Sequence, residues 1–215
     1  MPTTAIAGAV LAGGRSSRMG GRNKAQATLA GKTLIEHVIG RVGPQVDTLA
    51  LCVESRSAAF SAYGLPQLPD PAPGHQGPLG GLLAALRHFA GRYRWVLLVP
   101  CDAPFLPTDL ATRLLARAAG CALPAAVAVY RGQTQPTFSI WHQSLLPGLE
   151  TAVCEEGLGG FRQFTRTVRV AECDWQYDGR SGEPPPFFNV NDEATLEEAQ
   201  RWMNTAGELS GRCSA

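Results

Sequence analysis

The 215-residue chain has no Cys-x-x-Cys pair, no charge excess of either sign and no apolar run near the roughly 20 residues that span a bilayer. Its six cysteines (Cys52, Cys101, Cys121, Cys154, Cys173 and Cys213) are scattered, which fits neither a zinc site nor a small disulfide framework and predicts reduced thiols. The four histidines, His37, His75, His88 and His142, lack ligand-like spacing and read as surface or core fillers. A formal net charge of +1 argues against a wholesale binder of nucleic acid or of a membrane surface, so any anion must be held locally. "MPTTAIAGAVLAGG" lacks a basic n-region and runs straight into glycines, so no secretion signal is read and a cytoplasmic setting is expected. Internal repeats and low-complexity linkers are absent too, which favours one domain.

What is present is a chain of ordinary apolar content, 45%, with 24 glycines and 16 prolines that imply many loops. "TAIAGAVLA", "TLALCV" and "WVLLVP" are short, nearly continuous apolar runs, the pattern of strands buried on both faces. Helical spacing links Leu34, Ile35, Val38, Ile39 and Val42, which Gly43-Pro44 stops, and then Leu79, Leu82, Leu83, Leu86 and Phe89 behind Gly77-Pro78. Thr108 is placed to cap a helix carrying Leu110, Leu114 and Leu115. "AAVAVY" and "TFSIW" flank the turn-like "RGQTQP" as a hairpin or a pair of mixed-sheet strands. Short helices near residues 145–153 and 161–165, a strand at 168–171 and a helix at 193–203 capped by Asp192 complete the expectation. Strands alternating with helices imply an α/β fold, an open and mainly parallel sheet covered on both faces. Ligands of such a fold sit beyond the carboxyl ends of the strands.

Three loops at that edge carry polar cargo. The first, "VLAGGRSSRMGGRNKA", lacks both Gly-x-Gly-x-x-Gly and the P-loop pattern, yet keeps the parts of a phosphate cradle. Gly13 and Gly14 let backbone N–H groups converge on an anion, and Arg15, Arg18 and Lys24 supply charge. On its residues alone the loop is either this cradle or a solvated turn. In the second, "LPDPAPGHQGPLGG", the start of a helix faces the same edge, as an anion site or as a plain connection. The third, "VLLVPCDAPFLP", sets the Asp102 carboxylate at the tip of a buried strand, where it is either a Mg²⁺ ligand shared with phosphate oxygens or a turn residue. Cys101 beside it has no histidine partner and reads as a buried thiol.

The pattern "LAGGRSSRMGGRNKA", with "GKTLIEHV" after it, resembles the molybdenum cofactor guanylyltransferase family of the nucleotidyltransferases, and the likeness runs from about Ile6 to Ala199. The resemblance implies a three-layer α/β/α sandwich with a Rossmann-like sheet over residues 1–204; the residues of 205–215 are polar and read as a fraying tail. By the same resemblance Leu11, Ala12, Gly13 and Gly14 contact the nucleotide, and Arg18 and Lys24 balance charge on its phosphates as pyrophosphate leaves. Asp70 matches the family's nucleotide-contacting aspartate, while Gly77 and Gly81 border the nucleoside pocket. "PCDAPF" resembles the family's Pro-Cys-Asp-x-Pro-Phe, in which the aspartate binds Mg²⁺, and so points to Asp102. "FFNVND" resembles its Phe-x-Asn-x-Asn segment, so Asn189 and Asn191 would complete the metal shell or hold the pterin, a capping role for Asn191 standing beside this.

The activity so implied is transfer of GMP from GTP to the terminal phosphate of molybdopterin, with Mg²⁺ as cofactor and with molybdoenzymes or cofactor-insertion proteins as partners downstream. The alternatives are a cytidylyltransferase on the same pterin, another nucleoside-triphosphate transferase, or a non-catalytic nucleotide or pterin carrier. Cytidylyl relatives carry Leu-Ala-Ala-Gly in the first loop, so Gly13 favours guanine. The sequence departs from the family at Gln135, where members carry histidine, and at "VESR", where Glu54 or Ser55 stands in place of an asparagine.

Overall fold

The computed structural model describes residues 5–13, 24–71, 77–177 and 184–212, the last with side chains through Thr205. In chain order the strands are β1 (Ile6–Leu11), β2 (Thr28–Leu29), β3 (Lys32–Thr33), β4 (Thr48–Val53), β5 (Gln67–Pro69), β6 (Trp95–Pro100), β7 (Ala125–Tyr130), β8 (Gln133–His142) and β9 (Ala171–Trp175). The helices are α1 (Leu34–Val42), α2 (Ala58–Ser61), α3 (Pro78–Phe89), α4 (Leu110–Gly120), α5 (Leu146–Glu150), α6 (Phe161–Phe164) and α7 (Glu193–Arg212). Seven strands form one sheet in the order β5-β4-β1-β6-β8-β7-β9, and β2 and β3 form a separate small hairpin. The sheet is parallel except at β8, which runs against both β6 and β7.

Alternation along the strands builds two cores. Ile6 and Val10 of β1 face α1 and α4 together with Leu49, Leu51, Leu97 and Val99. Ala7 and Ala9, with Ala50 and Ala125, face α3, α5 and α6. The alanines matter, because small side chains on that face let the leucine-rich side of α3 settle deep on the sheet. Leu79, Leu82, Leu83 and Leu86 are all fully buried there. A third cluster ties the C-terminal helix to the rest: Leu29, Leu34, Phe105, Val190 and Ala199, with Phe188, Leu196 and Trp202 packed against it.

The short elements β2, β3, β5 and α2 are absent from the sequence reading, and four further details depart from it. Thr108 does not cap α4; Asp109 precedes the helix with no side-chain capping bond and pairs instead with Arg113 one turn on, at 3.7 Å. The hairpin turn is only Arg131-Gly132, both at positive φ (50° and 71°), the geometry of a two-residue primed turn, so Gln133–Gln135 pair as strand. The last strand runs Ala171–Trp175 rather than 168–171. Its buried Ala171, Cys173 and Trp175 alternate with exposed Glu172 and Asp174, a period of two that a search for apolar runs passes over. Helix α7 continues to Arg212, beyond the expected Met203.

One fully buried polar side chain stands among the described residues, Ser139 on β8. Its hydroxyl donates to Pro136 O and accepts from Trp141 Nε1, both at 2.7 Å, closing the irregularity where the β7–β8 register shifts. Trp141 in turn stacks on Phe161, with ring centroids 5.7 Å apart. Ser139→Ala therefore strands a buried indole N–H, and is expected to lower unfolding stability by about 1–3 kcal/mol in urea titration. In a Trp141→Phe background, where no indole donor is left, the same change is expected to cost less than half as much; equal costs would refute this account.

Candidate active site

The chain runs β1, β4, β5 outward in one direction, then crosses back to lay β6 on the other side of β1. The strand order thus reverses between β1 and β6, and the carboxyl ends there open a crevice of the kind in which α/β proteins hold ligands. Backbone hydrogen bonds stitch these strand ends together. Ala12 and Gly13 both donate to Cys52 O, at 2.8 and 3.0 Å, Asp70 N donates to Val53 O, and Cys101 N donates to Leu11 O, each at 3.1 Å.

Asp102 stands just past β6, where the sequence places it. Lys24, on the short turn of Lys24–Gln26, sets its ammonium 2.5 Å from Asp102 Oδ2 and 2.5 Å from Asn191 Oδ1. Side-chain exposures of 18% and 16% put the Lys24–Asp102 pair largely out of water, where a charge-assisted contact is stronger than at the surface. The last segment is fastened to the same residue, since Val190 N donates to Asp102 O at 2.8 Å. Three regions far apart in sequence meet at one carboxylate. Asp102 Oδ1 and Asn189 Oδ1 are buried and lack a hydrogen-bond partner among the described residues. Such unmade acceptors are costly in a finished core and mark places that await a ligand. The donors are hard oxygens, which suit Mg²⁺ or Mn²⁺ completed by phosphate oxygens; among the described residues no group of three His, Cys, Asp or Glu forms a protein cage.

The remaining expected residues divide. Leu11, Ala12 and Gly13 lie at the crevice, and a Cβ on Gly13 would come within 2.9 Å of Glu54 N, so the first loop runs hard against the end of β4. Asp70 follows β5, and its carboxylate fills the space that a side chain on Gly80 would take. A Cβ on Gly77 would overlap Gly159 O, and one on Gly81 would meet the end of the Leu11 side chain. Gly14, Arg15 and Arg18 lie outside the described residues. Gln135 is paired within the β7–β8 hairpin, opposite Ala128, and its side chain donates to Gln133 O. His37, His88 and His142 serve as expected: His37 Nε2 meets Leu29 O at 2.8 Å, and the other two make edge contacts with Phe89 and Trp95.

Sequence reasoning missed several residues that shape the site. Gly80 makes room for Asp70, and Gly159 seats the start of α3. Thr195 locks the entry to α7: its N–H donates to Asp192 Oδ1 at 2.9 Å while its hydroxyl accepts from Asn191 N and Asp192 N. The Asp-x-x-Thr spacing is the readable sign of that cap. Phe187 holds φ at 65°, unusual for so bulky a residue, and its ring is gripped by Phe138, Trp175 and Tyr130. That forced turn delivers the Asn189–Asn191 segment to Asp102.

An open, mostly parallel sheet with stitched strand ends and a Lys–Asp–Asn contact at its switch point defines a three-layer α/β protein with a ligand crevice at that edge. The comparisons narrow the class. A family model described as "MobA-like NTP transferase domain" matches residues 8–173. A protein of Bradyrhizobium sp. (strain ORS 278) named molybdenum cofactor guanylyltransferase is 39% identical over 202 residues, covering 93% of each chain. Among solved structures, molybdopterin-guanine dinucleotide biosynthesis protein A of Archaeoglobus fulgidus superposes with a TM-score of 0.75 at 24% identity, covering 93% of this chain and 99% of that one. A Mycobacterium tuberculosis protein solved in complex with manganese shares the fold, with a TM-score of 0.64, 17% identity and coverage of 92% and 99%. The chain belongs to the MobA-like NTP transferase domain family.

Cys101 and Cys52 flank the crevice as buried thiols. Burial, reinforced by Asp102 and by Asp70 respectively, pushes both thiols up to about 12. At pH 8 they carry almost no thiolate, the reactive form. Iodoacetamide on the native protein is expected to label exposed Cys121 and Cys154 while leaving Cys52 and Cys101 intact, as read by peptide mass spectrometry. Rapid modification of Cys101 would return it to the list of catalytic candidates.

Proposed function

We propose that this protein is a molybdenum cofactor guanylyltransferase, which transfers GMP from GTP to the terminal phosphate of molybdopterin and releases pyrophosphate. The observation that carries the reading is the meeting of Lys24, Asp102 and Asn191 at the β1–β6 switch point, in a chain similar along most of its length to proteins of that name. The triphosphate lies along the loop after β1, held by its backbone and by Lys24, with Arg18 as a second cation. The acceptor's phosphate oxygen attacks the α-phosphorus in line, forming the new P–O bond as the bond to pyrophosphate breaks. Charge neutralisation and alignment suffice for such a step, and no side-chain nucleophile is needed.

Asp102, with Asn189 beside it, would hold Mg²⁺, which offsets charge on the triphosphate. Lys24 follows the negative charge that builds on the departing pyrophosphate, its long stem suiting that movement. Asp70 and the first turn of α3 face the nucleoside, and Gly13 keeps the first loop close to the end of β4, the arrangement we assign to guanine. The protein would work in the cytoplasm beside the molybdoenzymes or insertion proteins that receive its product; no helix among the described residues is long and apolar enough to cross a membrane.

The test is pyrophosphate release from GTP, CTP and ATP with molybdopterin as acceptor. GTP is expected to exceed the others by at least about tenfold in kcat/KM, a difference worth 1.4 kcal/mol. Asp102→Ala is expected to lower turnover by about a hundredfold or more with an unchanged circular dichroism spectrum. A preference for CTP would move the assignment to cytidylyl transfer, and wild-type rates in the Asp102 variant would overturn the catalytic assignment itself.

A further inference from the structure

Asn191 was expected at the metal or at the pterin, yet its side-chain oxygen is already committed. Asn191 Oδ1 accepts from the Lys24 ammonium at 2.5 Å, while its Nδ2 donates to Asn189 O at 3.4 Å, so both ends of the amide face partners of the matching kind. Its backbone is fixed as well, because Asn191 N donates to Thr195 Oγ1 at 2.9 Å and Thr195 is bound into the cap of α7. The other oxygen facing that ammonium belongs to Asp102, the carboxylate that a divalent cation needs. One carboxylate and one amide oxygen therefore hold a cation that the chain itself supplies.

We propose that Asn191 is a positioning residue that holds Lys24 on Asp102, so that the lysine ammonium and a divalent cation compete for the same carboxylate until a nucleotide draws Lys24 away. The inference rests on the metal role given to Asp102 above and adds the order of events. With Lys24 in place the pair is electrically neutral and attracts a divalent cation weakly. A triphosphate offers Lys24 several negative oxygens in place of its contacts with Asp102 and Asn191. Once Lys24 moves to them, Asp102 is left with its full charge and with both oxygens, one of them unpartnered from the start. Metal and nucleotide then strengthen each other's binding, and by thermodynamic linkage they do so equally. Unproductive metal capture by the empty enzyme is suppressed by the residue that later serves the phosphates.

Substitutions at Asn191 separate this role from direct ligation by sign. Mn²⁺ binding to the purified full-length chain is measured by electron paramagnetic resonance of the free ion, with and without GTP. Without nucleotide, Asn191→Ala is expected to tighten Mn²⁺ binding about threefold or more, the worth of one hydrogen bond lost by Lys24, although no charge has changed. Thr195→Val, which loosens the Asn191 backbone and touches neither cation ligand, is expected to shift it the same way by less. Lys24→Met is expected to tighten it about tenfold or more, and GTP should erase most of the difference between Asn191→Ala and the unaltered protein. Weaker or unchanged Mn²⁺ binding in nucleotide-free Asn191→Ala would overturn the proposal, the weaker result marking Asn191 as a ligand. Asp102→Asn separates the two layers. If it leaves Mn²⁺ binding intact with GTP present, the metal role of Asp102 falls; if it abolishes binding while the Lys24 and Asn191 variants gain nothing, only the competition falls.

Discussion

A single buried-edge ion pair organises this site. Lys24 arrives from a turn near the N-terminus, Asp102 from the end of a central strand and Asn191 from the approach to the last helix, and the lysine ammonium reaches an oxygen of each of the other two at 2.5 Å. Bringing charges this far from water costs free energy unless they are well paired. The architecture works to guarantee the pairing. Backbone bonds from Ala12, Gly13, Asp70 and Cys101 fix the strand ends around the carboxylate, and Asp102 O holds Val190 in place. The third hydrophobic cluster then clamps α7 against the loop after β6 through Phe105, Phe188 and Trp202, whose rings meet edge to face. Remove the pairing and the reason for that third cluster is hard to find, since the two cores flanking the sheet already bury its faces.

The same arrangement explains why the two faces of the sheet are built from different residues. On the α1 and α4 side, branched and aromatic side chains fill the space between layers. On the α3 side, Ala7, Ala9 and Ala50 bring the helix close, and in its first turn Gly81 lies against Leu11 and Cys52. A helix seated this deep directs its first turn at the crevice, where the partial positive charge of its N–H groups favours an anion or a polar ring edge. Packing on one face thereby becomes electrostatics at the edge.

Much of this was legible in the sequence because it is written in local patterns. Doubly buried strands show as unbroken apolar runs, so β1, β4 and β6 and the loops after β1 and β6 could be placed directly, whereas the three-residue β5 before the second loop could not. Asp102 stood out because a carboxylate at the tip of such a strand suits a metal ligand and because "PCDAPF" resembles the family's motif. What stayed hidden depends on partners distant in the chain. Nothing local says that Gly80 exists to admit Asp70, or that Gly77 faces Gly159. Phe187 reads as one more apolar residue, although its backbone is held in a conformation that bulky residues avoid. Strand β9 was misplaced for a different reason: at the sheet edge it is half exposed, and alternation replaced the apolar run being sought.

The residues that escaped share a physical logic with those that were found. A site that handles a polyanion must place fixed charges within a few tenths of an ångström, yet loops that carry charges repel one another and tend to swell. The chain answers with contacts too close for a side chain, at Gly13 against Glu54 N and at Gly80 against the Asp70 carboxylate, so that the loops cannot separate without losing backbone packing. The glycines of the first loop were read at first as freedom for the backbone to wrap phosphate. At Gly13 the structure gives a second reason of opposite character, since the absent Cβ is what allows two strand ends to lock together. Precision at the site thus draws on small residues as well as charged ones, Gly13 holding the first loop to the end of β4 and Gly80 admitting the Asp70 carboxylate.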